Sequence, residues 1–305
     1  MPHTQAGIQA LAFASLGNET LLEDNGRQPT LAGSPSFFLH LGVFILPQLK
    51  IGIGLSSLRQ PFKKALHTVA SLGASGVEID ARNGLRPSEL SETGSRQLRK
   101  MLADLNLRVA AVRFPTRRGF DVLQDLERRI DATKEAMRFA YSLGASVVVN
   151  AVGYVPEDPQ HPAYDQLQVS LADLAAYGQH VGAMFACETG SEPTSRLVGL
   201  LDSLGERAIG ISYNPSSLVI NDCYSDSSIT DCASRVLHVT ARDAVRDLTR
   251  GRGIDVPLGR GSVDFPQLLG VLEEQQYGGW FVLDRNNTDD PLAELGQSIK
   301  FLNAL

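Results

Sequence analysis

From Leu49 to the end of the chain, short apolar or β-branched runs alternate with longer segments in which apolar residues recur with helical periodicity. This alternation is typical of parallel βα units, because each buried strand is followed by a helix that covers it. The predicted strands span residues 49–54, 76–80, 108–114, 146–150, 184–188, 208–213, 236–240 and 280–284. Eight strands are the number that closes an α/β barrel of the (β/α)8, or TIM, type.

The segments between these strands carry helix start and stop signals. Three predicted helices, 62–73, 96–106 and 125–144, each close on a glycine or an asparagine, which favour a left-handed C-cap. Asp264, followed by Pro266, predicts the start of a further helix. A doubly wound open sheet is the competing topology, but it typically has a glycine-rich phosphate-binding loop directly after its first strand. That loop here reads GLSSLRQP and lacks the fingerprint, so the barrel is favoured.

The N-terminal part of the chain differs from the rest in composition. Residues 1–36 are rich in Gly, Ser, Thr, Asn and Gln, without the basic region before an apolar stretch that a secretory signal requires. The apolar run FFLHLGVFIL, residues 37–46, is shorter than the roughly 20 residues of a membrane span. We therefore expect an N-terminal extension over residues 1–48, flexible or partly packed on the barrel, and a barrel domain over residues 49–305.

The overall composition excludes several classes of protein. With 43% hydrophobic and 20% charged residues, the chain can bury a core and is neither disordered nor fibrous. Its net charge of -6 argues against a nucleic-acid partner, because such binding needs a basic surface. Three cysteines without CxxC spacing indicate neither a disulfide framework nor a cysteine zinc site, so a reducing cytoplasm fits best. We expect no membrane partner, and the sequence does not indicate an oligomeric state.

Polar residues at the ends of the predicted strands are the candidates for chemistry, because active sites of such barrels lie at the C-terminal ends of the strands. Glu188 ends the fifth strand and Asp284 ends the eighth, and two carboxylates at one mouth suit proton transfer or cation binding. The alternative is that each pairs with a neighbouring arginine or caps a helix. Asn214, after strand six, could offer its carbonyl oxygen to a ligand or simply open an Asn-Pro turn.

Further candidates follow from the two-residue period of a strand. His238 and Thr240 share one face of strand seven, which places His238 one layer below Thr240 if that face is inward. A single histidine there is more often a hydrogen-bonded core residue than a ligand. Glu78 and Asp80 share a face of strand two and become pocket candidates if they point inward. Asn150, the last residue of strand four, is a further candidate for substrate binding.

The segment after strand seven, residues 241–261, contains five arginines against three aspartates. Such an excess could hold a phosphate or carboxylate group through paired hydrogen bonds, and Arg246 is the first candidate. The alternative is a solvated surface of Asp–Arg pairs.

The order and spacing of several motifs resemble the sugar phosphate isomerase/epimerase family, the xylose isomerase-like barrels, over residues 49–305. The motifs are GASGVEID, CETG, the Asn-Pro turn, HVTARDA, PLGRGSVDF and YGGWFVLDRNNTDDP. The resemblance implies a (β/α)8 barrel in which Glu, Asp, His and Glu from strands five to eight hold a divalent cation. It also implies that the cation and two carboxylates interconvert adjacent hydroxyl and carbonyl groups of a sugar through an enediolate.

Carried over by position, the four metal ligands of the family fall on Glu188, Asn214, Thr240 and Asp284. Only the first is unchanged, so the set has two negative charges instead of three and no imidazole, which weakens cation binding. The resemblance therefore implies a degenerate site, for which Mg²⁺ or Mn²⁺ is the expected cofactor if one binds.

Two further family positions bear on the substrate. The additional histidine of the epimerases falls on Ser217, and their substrate-contacting arginine corresponds to Arg246. The zinc nucleases of the family are excluded, because His238 is the only one of six histidines on a predicted strand and a multinuclear zinc site needs several imidazoles.

These observations predict a sugar or sugar-phosphate isomerase or epimerase. In this hypothesis Glu188 and Asp284 exchange a carbon-bound proton, while Arg246 holds the anionic or hydroxyl-rich end of the carbohydrate. The alternative is a catalytically silent barrel that binds a small carbohydrate or sugar acid, since fold and function can separate.

Overall fold

The computed structural model describes residues 49–205, 209–285 and 287–305. The described residues contain all eight predicted strands, and each strand begins and ends within about one residue of its predicted bounds. They are β1 (Lys50–Gly54), β2 (Gly76–Asp80), β3 (Arg108–Arg113), β4 (Val147–Ala151), β5 (Met184–Glu188), β6 (Ile209–Tyr213), β7 (Val236–Ala241) and β10 (Trp280–Leu283). The strands are parallel and close into a barrel in the order β1-β10-β7-β6-β5-β4-β3-β2, which confirms the predicted TIM barrel.

Two short strands that the hydrophobic pattern did not predict follow β7. β8 (Asp243–Val245) and β9 (Ile254–Val256) pair antiparallel outside the barrel sheet. Three residues are too few for an alternating pattern to be recognised, so this segment was expected to be a loop. The hairpin anchors the arginine-rich segment next to the barrel mouth.

Helices surround the barrel, and those in the described part of the chain follow the predicted alternation. They are α1 (Phe62–Ser71), α2 (Glu92–Asp104), α3 (Leu126–Ser142), α4 (Pro162–Val181), α5 (Thr194–Asp202), α6 (Pro215–Ile220), α7 (Phe265–Glu274) and α8 (Pro291–Leu302). Gly144, just after α3, has φ 80°, the left-handed conformation that its position predicted. Asp264 caps α7 by accepting from the Gln267 amide at 2.9 Å.

The core has two parts with different roles. The larger lies between the strands and the helices, and a small separate cluster consists of Ala111, Val147, Val149 and Ala186. Alternate residues of a strand share a face. Arg113, two positions after Ala111, and Glu188, two positions after Ala186, therefore lie on the same inner face. The small side chains of the cluster line the interior of the barrel and leave room for larger polar groups above them.

The predicted extension over residues 1–48 lies outside the described residues and stays a prediction. No helix in the described part of the chain is long and apolar enough to cross a membrane.

Candidate functional site

A guanidinium group lies among the polar residues at the barrel mouth. Arg113, the last residue of β3, donates from Nε to Oε1 of Glu78 at 2.7 Å. Its Nη1 donates to both carboxylate oxygens of Glu188 at 2.9 Å, and its Nη2 donates to the hydroxyl of Thr240 at 3.1 Å. We call these four residues the Arg113 cluster. One side chain thus connects β3 with β2, β5 and β7.

The charge of Arg113 is stabilised by the carboxylates around it. Burial by itself lowers the pKa of the guanidinium, but the carboxylates of Glu188, Glu78 and Asp284 outweigh it and raise the pKa well above its usual range. Glu78 and Glu188 contact this permanent positive charge directly, and the charge of Asp284, just after β10, also acts on it. That Glu188 and Asp284 act together at one site stays a prediction.

Asp284, directly after β10, has partners on both sides of the mouth. Its Oδ1 accepts from the hydroxyl of Ser57 at 2.7 Å, and its Oδ2 lies 3.7 Å from Nη1 of Arg242. Arg242 also forms an ion pair with Asp255 of the β8–β9 hairpin. The unpredicted hairpin therefore positions a second arginine beside the cluster.

Asn214 begins α6, in agreement with the Asn-Pro turn considered for it, and its side-chain nitrogen contacts Glu188. Its Nδ2 donates to Oε1 of Glu188 at 3.0 Å. Its Oδ1 accepts from the backbone amide of Ser217 at 3.2 Å and so caps α6. The oxygen that a cation would require is therefore used by the backbone.

A second polar layer lies below Arg113. Nδ1 of His238 is 2.9 Å from the hydroxyl of Ser212, and its Nε2 is 3.3 Å from Oε2 of Glu78. Burial, together with the charge of Arg113, lowers the pKa of His238 to about 3, so the imidazole is neutral. Burial raises the pKa of Glu78 to about 7 against the attraction of Arg113. His238 is thus the buried, deeper residue that the strand period predicted.

Two of the predicted substrate-binding residues instead organise loops. The carboxylate of Asp80 accepts from the backbone amides of Arg82 and Asn83 at 2.8 Å, which shapes the turn after β2. Asn150 is buried, with its amide nitrogen 3.1 Å from the hydroxyl of Thr116. These contacts account for both polar side chains without a ligand.

The expected anion-holding role of Arg246 is not supported by its position. Its side chain is 63% exposed and forms an ion pair with Asp222, so its charge is compensated outside the cluster. Ser217 lies in the first turn of α6 at the C-terminal face. The exposed Arg246–Asp222 pair is of the kind that the alternative, a solvated surface of Asp–Arg pairs, describes.

Arg113 is not among the site residues predicted from the sequence, although its position in the strand RVAAVRF indicates an inward side chain. A charged residue near the end of an apolar strand, at the same parity as Ala111, must point into the barrel with it. A buried arginine is stable only with carboxylate partners, which Glu78 and Glu188 could have supplied.

The divalent cation that the family resemblance implies does not fit these side chains. Both oxygens of Glu188 and the hydroxyl of Thr240 accept from Arg113, while Asn214 presents its amide nitrogen. A cation at this position would meet the positive charge of Arg113, which repels it and competes for the same oxygens. Within the described residues, no three carboxylate, imidazole or thiol groups are arranged to hold a metal ion.

Comparison with known proteins agrees with the fold. Residues 66–305 match the family described as xylose isomerase-like TIM barrel, whereas no curated protein matches the chain. The xylose isomerase domain protein from Planctomyces limnophilus is 21% identical, with a TM-score of 0.75, and the alignment covers 85% of this chain and 97% of that chain.

Two further solved structures are similar in fold. A xylose isomerase-like TIM barrel protein from Mycobacterium smegmatis, in complex with magnesium, is 15% identical with a TM-score of 0.69, covering 84% of this chain and 96% of that chain. D-Psicose 3-epimerase from Clostridium cellulolyticum H10, solved with D-tagatose, is 14% identical with a TM-score of 0.68, covering 84% of this chain and 99% of that chain. The family match includes most of the barrel, with Glu78, Glu188 and Asp284, so the chain belongs to the xylose isomerase-like TIM barrel family.

Proposed function

We propose that this chain binds a small carbohydrate or sugar acid at the C-terminal mouth of the barrel, without a divalent cation and without turnover. The observation that carries the proposal is the position of the Arg113 guanidinium between Glu78 and Glu188. A fixed organic cation here supplies the positive charge that the family resemblance assigns to a metal ion.

The chemistry of the mouth suits a polyhydroxylated ligand. The side chains of Arg113, Glu188 and Arg242 are 17%, 14% and 19% exposed, so each keeps a small accessible surface. A sugar hydroxyl can donate to a carboxylate and accept from a guanidinium, which makes such mixed clusters complementary to carbohydrates. The related barrel solved with D-tagatose supports a carbohydrate as the ligand class.

The alternative is isomerisation or epimerisation through an enediolate, in which Glu188 would have to remove a carbon-bound proton. Its two oxygens accept from Arg113 and Oε1 also accepts from Asn214, which leaves one lone pair, on Oε2, for a ligand. A sugar hydroxyl can donate to this position while Arg113 stays in place. Asp284 accepts from Ser57 and faces Arg242. Turnover would require Glu188 to exchange a contact with Arg113 for one with the reacting carbon of the substrate.

Isothermal titration against ketoses, ketose phosphates and sugar acids tests the proposal. We expect at least one of them to bind wild-type protein equally in EDTA and in Mn²⁺. Ligand at about 100 times its dissociation constant should stabilise the fold by roughly 2.7 kcal/mol. Glu188→Gln should weaken binding, whereas the matched Glu273→Gln change at an exposed position of α7 should not. Binding that needs Mn²⁺, or none across the panel, would contradict the proposal.

Deuterium exchange separates binding from turnover. A bound carbohydrate incubated in D₂O should acquire no carbon-bound deuterium, because Glu188 stays in contact with Arg113 and Glu78 is only 3% exposed. Exchange that is catalysed by wild-type protein and lost in Glu188→Gln would instead establish the isomerase alternative.

A further inference from the structure

A cavity of about 450 Å³ lies beside α3 and the β3–α3 loop, residues 114–125. Five arginines line it, and we call it the arginine cavity: Arg82, Arg117, Arg118, Arg128 and Arg129. Of the described residues that line it, Asp125 alone carries a carboxylate. Because the loop follows directly after β3, the cavity lies on the same C-terminal side as the barrel mouth.

None of the five arginines forms an ion pair with another described residue. Six arginines elsewhere in the described chain form ion pairs with carboxylates: Arg113, Arg196, Arg235, Arg242, Arg246 and Arg285. Other arginines without an ion pair among the described residues, such as Arg99 and Arg108, do not line this cavity. Positive charges that line one cavity without carboxylate partners repel one another. A bound anion would reduce this electrostatic repulsion. The arginine cavity therefore has a charge that its own surroundings do not balance.

The contacts that these arginines make are with neutral acceptors. Arg82 donates to a backbone carbonyl of the loop at 2.9 Å, Arg118 donates to the side chain of Gln124, and Arg129 donates to backbone carbonyls. Nε of Arg129 is buried without a hydrogen-bond partner among the described residues. These contacts orient the guanidinium groups without neutralising them.

Two of the five arginines are available to an incoming ligand. Arg117 and Arg128 are exposed and form no hydrogen bond or ion pair with another residue in the described ranges. The cavity also lies at the N-terminus of α3, where Asp125 makes no side-chain capping bond. The backbone amides of the first turn add partial positive charge to that of the arginines.

We propose that the arginine cavity binds the phosphate group of a small phosphorylated molecule. A phosphate carries up to two negative charges on oxygens that several guanidinium groups can share in paired hydrogen bonds. The volume is that of a small-molecule site, and its concave form differs from the extended basic stripe that binds nucleic acid. The inference does not depend on carbohydrate binding at the Arg113 cluster.

Titration with inorganic phosphate at low ionic strength, followed by calorimetry and by broadening of the phosphorus NMR signal, tests the site. Wild-type protein should bind phosphate with millimolar or better affinity. The double variant Arg117→Gln/Arg128→Gln should weaken binding by roughly tenfold or more, since it removes two guanidinium groups that donate to the phosphate. Both side chains are exposed and unpaired within the described residues, so the fold should be retained.

The control variant is Arg99→Gln/Arg108→Gln, which removes the same charge at exposed positions outside the cavity. It should bind phosphate as wild type does, and so should Glu188→Gln, which alters only the proposed carbohydrate site. An absence of phosphate binding by wild-type protein would overturn the proposal. Equal weakening in the control and cavity variants would also overturn it, because the effect would then be one of net charge.

Discussion

Nη1 of Arg113 lies 2.9 Å from each carboxylate oxygen of Glu188. This contact joins the end of β3 to the end of β5 and uses the carboxylate that is the first metal ligand implied by the family resemblance. Because a guanidinium charge is permanent, the interaction does not depend on the supply of a metal ion. The mouth of this barrel is therefore organised by a residue of the chain itself.

Removal of Arg113 should strongly destabilise the fold. Arg113→Met leaves the carboxylates of Glu78 and Glu188 buried without their partner, which typically costs about 3–5 kcal/mol. Urea unfolding measures the change. Arg108→Met, at the exposed start of the same strand, should alter the free energy of unfolding by about 0.5 kcal/mol or less. Similar losses in both variants would mean that the charge cluster contributes nothing specific.

The stability lost in Arg113→Met should be partly regained when the carboxylates of Glu78 and Glu188 are neutralised. Adding Glu78→Gln and Glu188→Gln to Arg113→Met removes the uncompensated negative charge, so the triple variant should be more stable than the single one. Thermal unfolding of the two proteins side by side provides the comparison. A triple variant less stable than Arg113→Met would show that the uncompensated charge of the buried carboxylates is not the cause.

Glu78 and His238 should give opposite pH dependences to stability. The pKa of Glu78 is raised from 4.5 to about 7, so its contribution is full below its usual pKa and is lost as the pH rises to about 7. The pKa of His238 is lowered from 6.5 to about 3, so its contribution is full above its usual pKa and is lost as the pH falls towards 3. The two dependences oppose each other between these usual pKa values.

The variant Glu78→Gln separates the pH dependence due to Glu78 from that due to His238. The variant should gain stability relative to wild type as the pH rises from about 5 to 7, by up to roughly 1.4 kcal/mol per pH unit. Urea unfolding at several pH values measures the difference, with Glu273→Gln as the control at an exposed position. A constant difference across this range would mean that Glu78 does not bind a proton there.

Ser57 should be important for the placement of Asp284. Its hydroxyl donates to Oδ1 of Asp284 at 2.7 Å and accepts from the backbone amide of Arg285 at 2.9 Å, and it is fully buried. Ser57→Ala leaves two buried groups without this partner and should cost about 1–3 kcal/mol in chemical unfolding. Ser71→Ala, at an exposed helix position, should be nearly neutral. Equal effects would contradict a specific role for Ser57.

The barrel could be predicted because each buried strand is a short apolar run with its own boundaries. β8 and β9 could not, since three residues carry no recognisable period. At the mouth, the two-residue period put Glu78 and Asp80 on one face and His238 below Thr240, but it left open which face points inward. Glu78 and His238 do point inward, where Nε2 of the imidazole lies 3.3 Å from Oε2 of the carboxylate, while Asp80 shapes the turn after β2. Which residues share one guanidinium depends on packing across the barrel, between strands far apart in sequence.

The partners of the arginines could not be predicted from the sequence either, because they too depend on contacts between distant segments. The excess after β7 was visible in the sequence, but two of its five arginines, Arg242 and Arg246, pair with the carboxylates of Asp255 and Asp222. The residues around the arginine cavity come from two loops and a helix that the sequence separates. Charge counts along a segment therefore could not identify which arginines lack carboxylate partners.

The most direct test of the central claim, that Arg113 takes the place of a metal ion, is calorimetric titration with Mn²⁺ of wild type, Arg113→Ala and Arg108→Ala. The claim predicts no Mn²⁺ binding at the mouth of wild type or Arg108→Ala. It predicts a gain of Mn²⁺ binding for folded Arg113→Ala, because the oxygens of Glu78 and Glu188 then lose the guanidinium that competes with a cation for them. Binding of Mn²⁺ by wild type that disappears in Glu188→Gln would contradict it.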